Sequence, residues 1–310
     1  QKIESDGTDF TIASGAKLNL TPTSDVHFAN GTGVVIGHTA QVTTASVAEF
    51  QILGTGAADS SAVIGRWTSG ASGPRLSFVA SNNGTIGSKT IVADNDIIGF
   101  MEWLPDDGVD FATSAATFWA EVDDASPEAG GVGMAFVWKQ MPGGGTTAAA
   151  ETMRISAAGY VGIGETAPAN LLHVKVSDTG ITPHASAQIV LERDGTNYLQ
   201  FLTGNDGTSG LLFGDEDDND VGKIQYDHNV PAMYFTTEAN LGMALSGGAT
   251  PTLTLYGTAS TGGDAKILFD GEAVDYHIGL DDNLDALRVG VGNALGTTPL
   301  ISLYATGKGY

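Results

Sequence analysis

The chain has 310 residues, a formal net charge of −23, only 16% charged residues, 43 glycines and no cysteine. This excludes disulfides and thiolate metal centres and sets the surface against nucleic-acid phosphates and anionic membranes. It favours short strands joined by tight turns, where glycine supplies positive φ without steric cost.

In chain order the alternating apolar and polar segments predict strands. Phe10-Thr11-Ile12 and Lys17-Leu18-Asn19-Leu20 fall in an N-terminal stalk, residues 1–44. A first cassette, 45–164, carries Arg75–Val79, Ile97–Trp103, Thr117–Val122, Gly133–Trp138 and Met153–Ser156, and contains all four tryptophans. A second cassette, 165–292, carries Gln188–Leu191, Tyr198–Leu202, Lys223–Tyr226 and Ala232–Phe235, and residues 293–310 form a terminal strand. No window keeps helical spacing for more than about two turns. One short helical turn is expected at Ala167-Pro168-Ala169-Asn170, where Pro suits a first helical position. No run of about 18 apolar residues marks a membrane span.

One motif recurs: Val34-Val35-Ile36-Gly37, Val161-Gly162-Ile163-Gly164 and Val289-Gly290-Val291-Gly292, with final glycines 127 and 128 residues apart. An alternating strand trails each copy: Glu49–Gly54, Leu172–Val176 and Leu300–Tyr304. Valine or isoleucine alternating with glycine gives a strand with one bulky and one bare face, which suits close backbone approach. Chains wrapped about a shared axis gain most from such strands. The expected axis-packing residues are Val35, Ile36, Val161, Ile163, Val289 and Val291.

Met153-Arg154-Ile155-Ser156-Ala157-Ala158-Gly159-Tyr160-Val161-Gly162-Ile163-Gly164, with Pro168 and Leu172-His173-Val174 beyond it, resembles a junction of phage tail-fibre proteins. It departs from the usual form at Ser156 and Glu165, outside the Gly/Val/Ile core. The resemblance implies an all-β, elongated homotrimeric fibre with β-helical or β-prism stalk segments and broader β-sandwich-like knobs. It further implies a virion location, other virion proteins as neighbours, and host-surface adsorption through a glycan or protein. Many of these proteins carry a C-terminal endosialidase-type intramolecular chaperone. No such segment precedes Tyr310, so the expectation is a matured fibre or a separate assembly factor. Two other classes stay open, a catalytic tailspike cutting host polysaccharide and a bacterial extracellular adhesin.

Catalysis is not expected. Glu102 and Glu121 lie in strands beside Trp103 and Trp119, a pairing of carboxylates and aromatic faces that suits glycan contact; the same pattern arises from exposed acids alternating with core tryptophans. The run Asp215–Asp220 opens like an EF-hand, but Asp220 stands where glycine is needed and Tyr226 where glutamate is needed. It reads as a solvated acidic turn, with non-EF calcium as the alternative; Asp281, Asp282 and Asp285 read the same way. His173 is expected as a satisfied polar position near the axis, with an axial metal as the sharper alternative. No cofactor is expected. Gly143–Thr147 lacks the lysine of a phosphate loop and reads as a turn.

Overall fold

The computed structural model describes residues 33–46, 48–143, 148–238, 240–247, 249–257, 263–296 and 298–305. The strands expected at Phe10 and Lys17 lie outside them, as does most of Gly143–Thr147. The described chain is all-β: eighteen strands in four open sheets, with no helix. It thus holds no helix long and apolar enough to cross a membrane. Residues 167–170, expected as a helical turn, are irregular: Glu165 accepts the Ala167 N–H in a local turn instead.

The chain divides into two units, residues 1–197 and 198–310. In the first, β1 (Val34–Ile36) pairs in parallel with β2 (Phe50–Ile52). A seven-stranded sheet follows: β3 (Ile97–Trp103), β4 (Ala116–Val122), β5 (Met134–Gln140), β6 (Ala150–Ile155), β7 (Val161–Ile163), β8 (Leu172–Lys175) and β9 (Ile189–Glu192). Strands β3 to β7 form an antiparallel meander, whereas β7, β8 and β9 run parallel. The boundary expected at 164/165 therefore falls between two paired strands.

The second unit holds two antiparallel meanders. One comprises β10 (Thr208–Phe213), β11 (Gly222–Asp227), β12 (Ala232–Thr237), β13 (Asn240–Ser246) and β14 (Thr252–Leu255). The other comprises β15 (Ala265–Phe269), β16 (Tyr276–Asp281), β17 (Ala286–Val291) and β18 (Pro299–Tyr304). In every sheet the order across the sheet is the order along the chain.

The first two copies of the recurrent motif share one geometry. Each ends a strand that pairs in parallel with the strand trailing it, Val34 beside Phe50 and Val161 beside Leu172. Each closing glycine has positive φ, +88° at Gly37 and +71° at Gly164. A Cβ there would lie 2.0 Å from the Leu53 carbonyl oxygen and 2.2 Å from that of Lys175. The third copy differs: β17 is antiparallel to β16 and β18, and a Cβ on Gly292 (φ +90°) would make only an ordinary 3.8 Å contact with Thr298 Oγ1. Gly164→Ala combines left-handed strain with a backbone clash and is expected to cost at least about 2 kcal/mol, read as a lower thermal midpoint. Gly292→Ala, with the strain but not the clash, is expected to cost less.

Candidate assembly interface

Strand registers place two unbroken apolar rows on one face of the seven-stranded sheet. The first runs Ala120, Phe136, Ile155, Val161, Leu172, Ile189; the second runs Met101, Phe118, Trp138, Met153, Ile163, Val174, Leu191. Phe118 stacks with Phe136 and Trp138 at centroid distances of 5.8 and 4.8 Å. This face is uncovered: Ile163 is 42% exposed, and Met101, Phe136, Ile189 and Leu191 are also exposed.

The opposite face is covered and mixes the buried apolar cluster of Trp119, Ala135 and Val137 with charged side chains. Trp119, Val137, Arg154, Gly162, His173 and Val190 form its central row. Arg154 bridges two carboxylates, through Nη2 to Glu121 at 3.1 Å and through Nε to Glu151 at 2.6 Å. The Glu151 hydrogen bond, against the opposing effect of burial, raises the guanidinium pKa further, and the charges of Glu151, Glu121 and Asp123 add to it. Trp119 Nε1 donates to Glu121 at 2.7 Å, and Lys139 Nζ lies 4.6 Å from the Trp119 ring.

The second unit repeats this inversion. In its five-stranded sheet Leu211, Ile224, Phe235, Met243 and Leu255 form one row, with Tyr226, Met233, Leu245 and Leu253 beside it. The other face reads Gln225, Tyr234, Ala244, Thr254. In the four-stranded sheet Ile267, Ile278, Val289 and Ile301 run between Ala265, Leu280, Leu287, Leu303 and Phe269, Tyr276, Val291. Most of these are exposed, while the opposite face buries His277, Asp281, Ala286 and Arg288. A soluble protein normally covers its apolar face and wets its charged one. Here the charged faces are the better covered in two sheets, and the apolar face is exposed or half-exposed in all three.

Of the residues expected at an axis, Val161, Ile163, Val289 and Val291 lie on these open faces, but Val35 does not share a face with Ile36. Adjacent strand residues point to opposite sides, and Val34 and Ile36 lie on the open face with Phe50 and Ile52. Val35 instead sits beside buried Gln51. Period-two reading of the motif itself would have found Val34.

A second regularity was invisible in the sequence. Opposite the second position of each motif copy stands a buried polar side chain: Gln51 beside Val35, His173 beside Gly162, and His277 beside Gly290. Each ties down a neighbouring segment. The Gln51 amide exchanges two hydrogen bonds with Val42 at 2.8 and 2.9 Å, and His277 Nδ1 donates to the Gly292 carbonyl at 2.8 Å. The bare Gly290 makes room for this imidazole, since a Cβ would lie 2.6 Å from His277 Nε2.

His173 lies on the face opposite Val161 and Ile163, so an axis lined by those residues would not pass through it. Its Nε2 donates to Glu192 at 2.9 Å, and Glu165 is near enough to complete a His-Glu-Glu ligand set. Lys175 Nζ stands 2.7 Å from Glu165 and 4.0 Å from Glu192, in the place a cation would take. The chain supplies that positive charge itself.

The Thr179 backbone N–H holds the Glu192 carboxyl down, from 4.5 to about 2; the Thr179 hydroxyl, His173 and Lys175 assist against burial. A depressed carboxylate stabilises the fold above its unfolded pKa and loses that contribution as pH falls through the folded one. The β8–β9 region is expected to lose stability from pH 4.5 down to about 2. Thermal midpoints across that range should fall less steeply for Glu192→Gln, which starts from a lower value.

The expected carboxylate pair is not brought together. Glu102 stands opposite Thr117, four residues from Glu121, about 13 Å along the strand. Glycosidase carboxyls lie roughly 5–9.5 Å apart. Glu102 accepts from the Ser114 hydroxyl, and Glu121 is held by Arg154 and Trp119. Trp103 and Trp119 point to opposite faces; Trp103 instead lines an open cavity of about 340 Å³ with Trp138 and Gln140. In the acidic run, Asp215 accepts the N–H groups of Asp217 and Asp218, and Asp220 pairs with Lys223 at 2.6 Å, closing the β10–β11 turn.

No protein-family model matches the chain, and no curated protein matches it. Among solved structures, the carboxy-terminal domain of the bacteriophage T5 L-shaped tail fibre aligns over 81% of this chain and 90% of that one, at 12% identity and a TM-score of 0.31. That score is below the level of a shared fold.

Proposed function

We propose that this chain is a structural fibre protein of a phage virion, a homotrimer whose open sheet faces turn toward a common axis, and that its work is mechanical reach and contact with the host surface. The carrying observation is the exposed or half-exposed apolar face on three successive sheets, one backed by the buried Asp281–Arg288 pair and one by the part-buried pairs of Arg154. Identical sheets meeting by their own apolar faces satisfy the closed symmetry usual for homo-oligomers.

The phage assignment is supported by the Met153–Gly164 junction and its Leu172-His173-Val174 strand. A non-catalytic role is supported by the wide spacing of Glu102 and Glu121 and by the partners that hold each of them. Light scattering tests the assembly: a mass three times that of the chain is expected, and a native monomer refutes the reading. Immunogold labelling of particles tests the virion location, and competition by the purified protein tests adsorption.

A further inference from the structure

We infer that Arg75–Val79 and Tyr198–Leu202 are β-strands in waiting, completed by adding to a sheet edge of another copy of this chain. The inference rests on the assembly reading above and adds to it which backbone crosses between copies. Both segments alternate like strands, yet neither is one in the single chain. No backbone hydrogen bond joins either to a described residue. Their large side chains stand in solvent, Val79 at 88% and Leu202 at 85% exposure.

The two segments are repeats of one another. Leu76, Phe78, Asn82 and Gly84 recur at the same spacing as Leu199, Phe201, Asn205 and Gly207. Each precedes the first strand of a meander, β3 or β10, which is an edge of its sheet. Each also leans its phenylalanine on that sheet: a Cβ on Gly99 of β3 would lie 2.5 Å from Phe78, and Phe201 lines an apolar cavity with Leu211, Ile224 and Met233. A backbone with unspent donors and acceptors, held beside an apolar face, is the arrangement that strand addition completes. A second copy is the fitting occupant, because it brings matching edges and a complementary open face in the same encounter.

Hydrogen exchange read by mass spectrometry on the native full chain, with light scattering on the same sample, tests this. In a trimeric sample the amides of 76–79 and 199–202 are expected to exchange roughly 100-fold more slowly than those of the Asn82–Gly84 and Asn205–Gly207 turns. Fast exchange in a trimeric sample overturns the strand inference and leaves the assembly intact. A monomeric sample overturns both. Leu199→Pro, which removes one donor, is expected to lower the melting temperature of the trimer and to release the whole 199–202 segment to fast exchange. Unchanged melting and unchanged protection in that variant would also refute the inference.

Discussion

Ile163→Asp is expected to turn the proposed trimer into a monomer of 31.7 kDa by light scattering at micromolar concentration. In the isolated chain this side chain is 42% exposed, and a surface substitution there should cost within about 0.5 kcal/mol. In an assembly closed by the open faces, Ile163 would lie beside Met153, Val174 and its own symmetry mates. Three uncompensated carboxylates would then enter one apolar space, each costing several kcal/mol. The two settings differ by far more than measurement error, so a variant that keeps its trimeric mass refutes the axial placement. Thr254→Asp, on the polar face of the five-stranded sheet, adds the same charge and is expected to leave the mass unchanged.

Asp281→Ala is expected to destabilise the four-stranded sheet by about 3–5 kcal/mol, because it strands a buried cation. Arg288 is 5% exposed, and its Nε lies 3.2 Å from Asp281 Oδ2 without hydrogen-bond alignment, so the attraction is mainly coulombic. Gly296 roofs the pair; a Cβ on it would lie 2.8 Å from Arg288 Nη1. The double variant Asp281→Leu with Arg288→Met removes both charges and is expected to recover most of the loss. Denaturant titration of the three proteins checks both statements, and a single variant as stable as the parent would contradict the first.

Alternation at Ile97–Trp103, Thr117–Val122 and Lys223–Tyr226 was enough to place β3, β4 and β11, because a half-buried strand imposes period two on its own residues. The same pattern at Arg75–Val79 and Tyr198–Leu202 yields no strand within the chain. Periodicity tells which residues share a face and says nothing about whether an edge is present to accept them. The recurrence of Val-x-Ile-Gly was legible as a repeat, yet its third copy lies in an antiparallel meander, since pairing direction depends on the connection that follows. The asparagine and glycine shared by the 76–84 and 199–207 segments are equally legible as a repeat. The buried companions Gln51, His173 and His277 were not legible, for they are defined by register across strands rather than by any local pattern.

Because each strand bonds to the strand made just before it, no sheet has to wait for a distant part of the chain. Low sequence separation between partners favours rapid closure of each meander, and units of this kind form from the N-terminus as synthesis proceeds. A ribosome would thus release a polypeptide whose hydrogen-bond ladders are largely settled while its greasy sides are still looking for company. In the proposed assembly the slow, concentration-dependent event would be the meeting of finished sheets, and crowding of nascent copies on one message would hasten it.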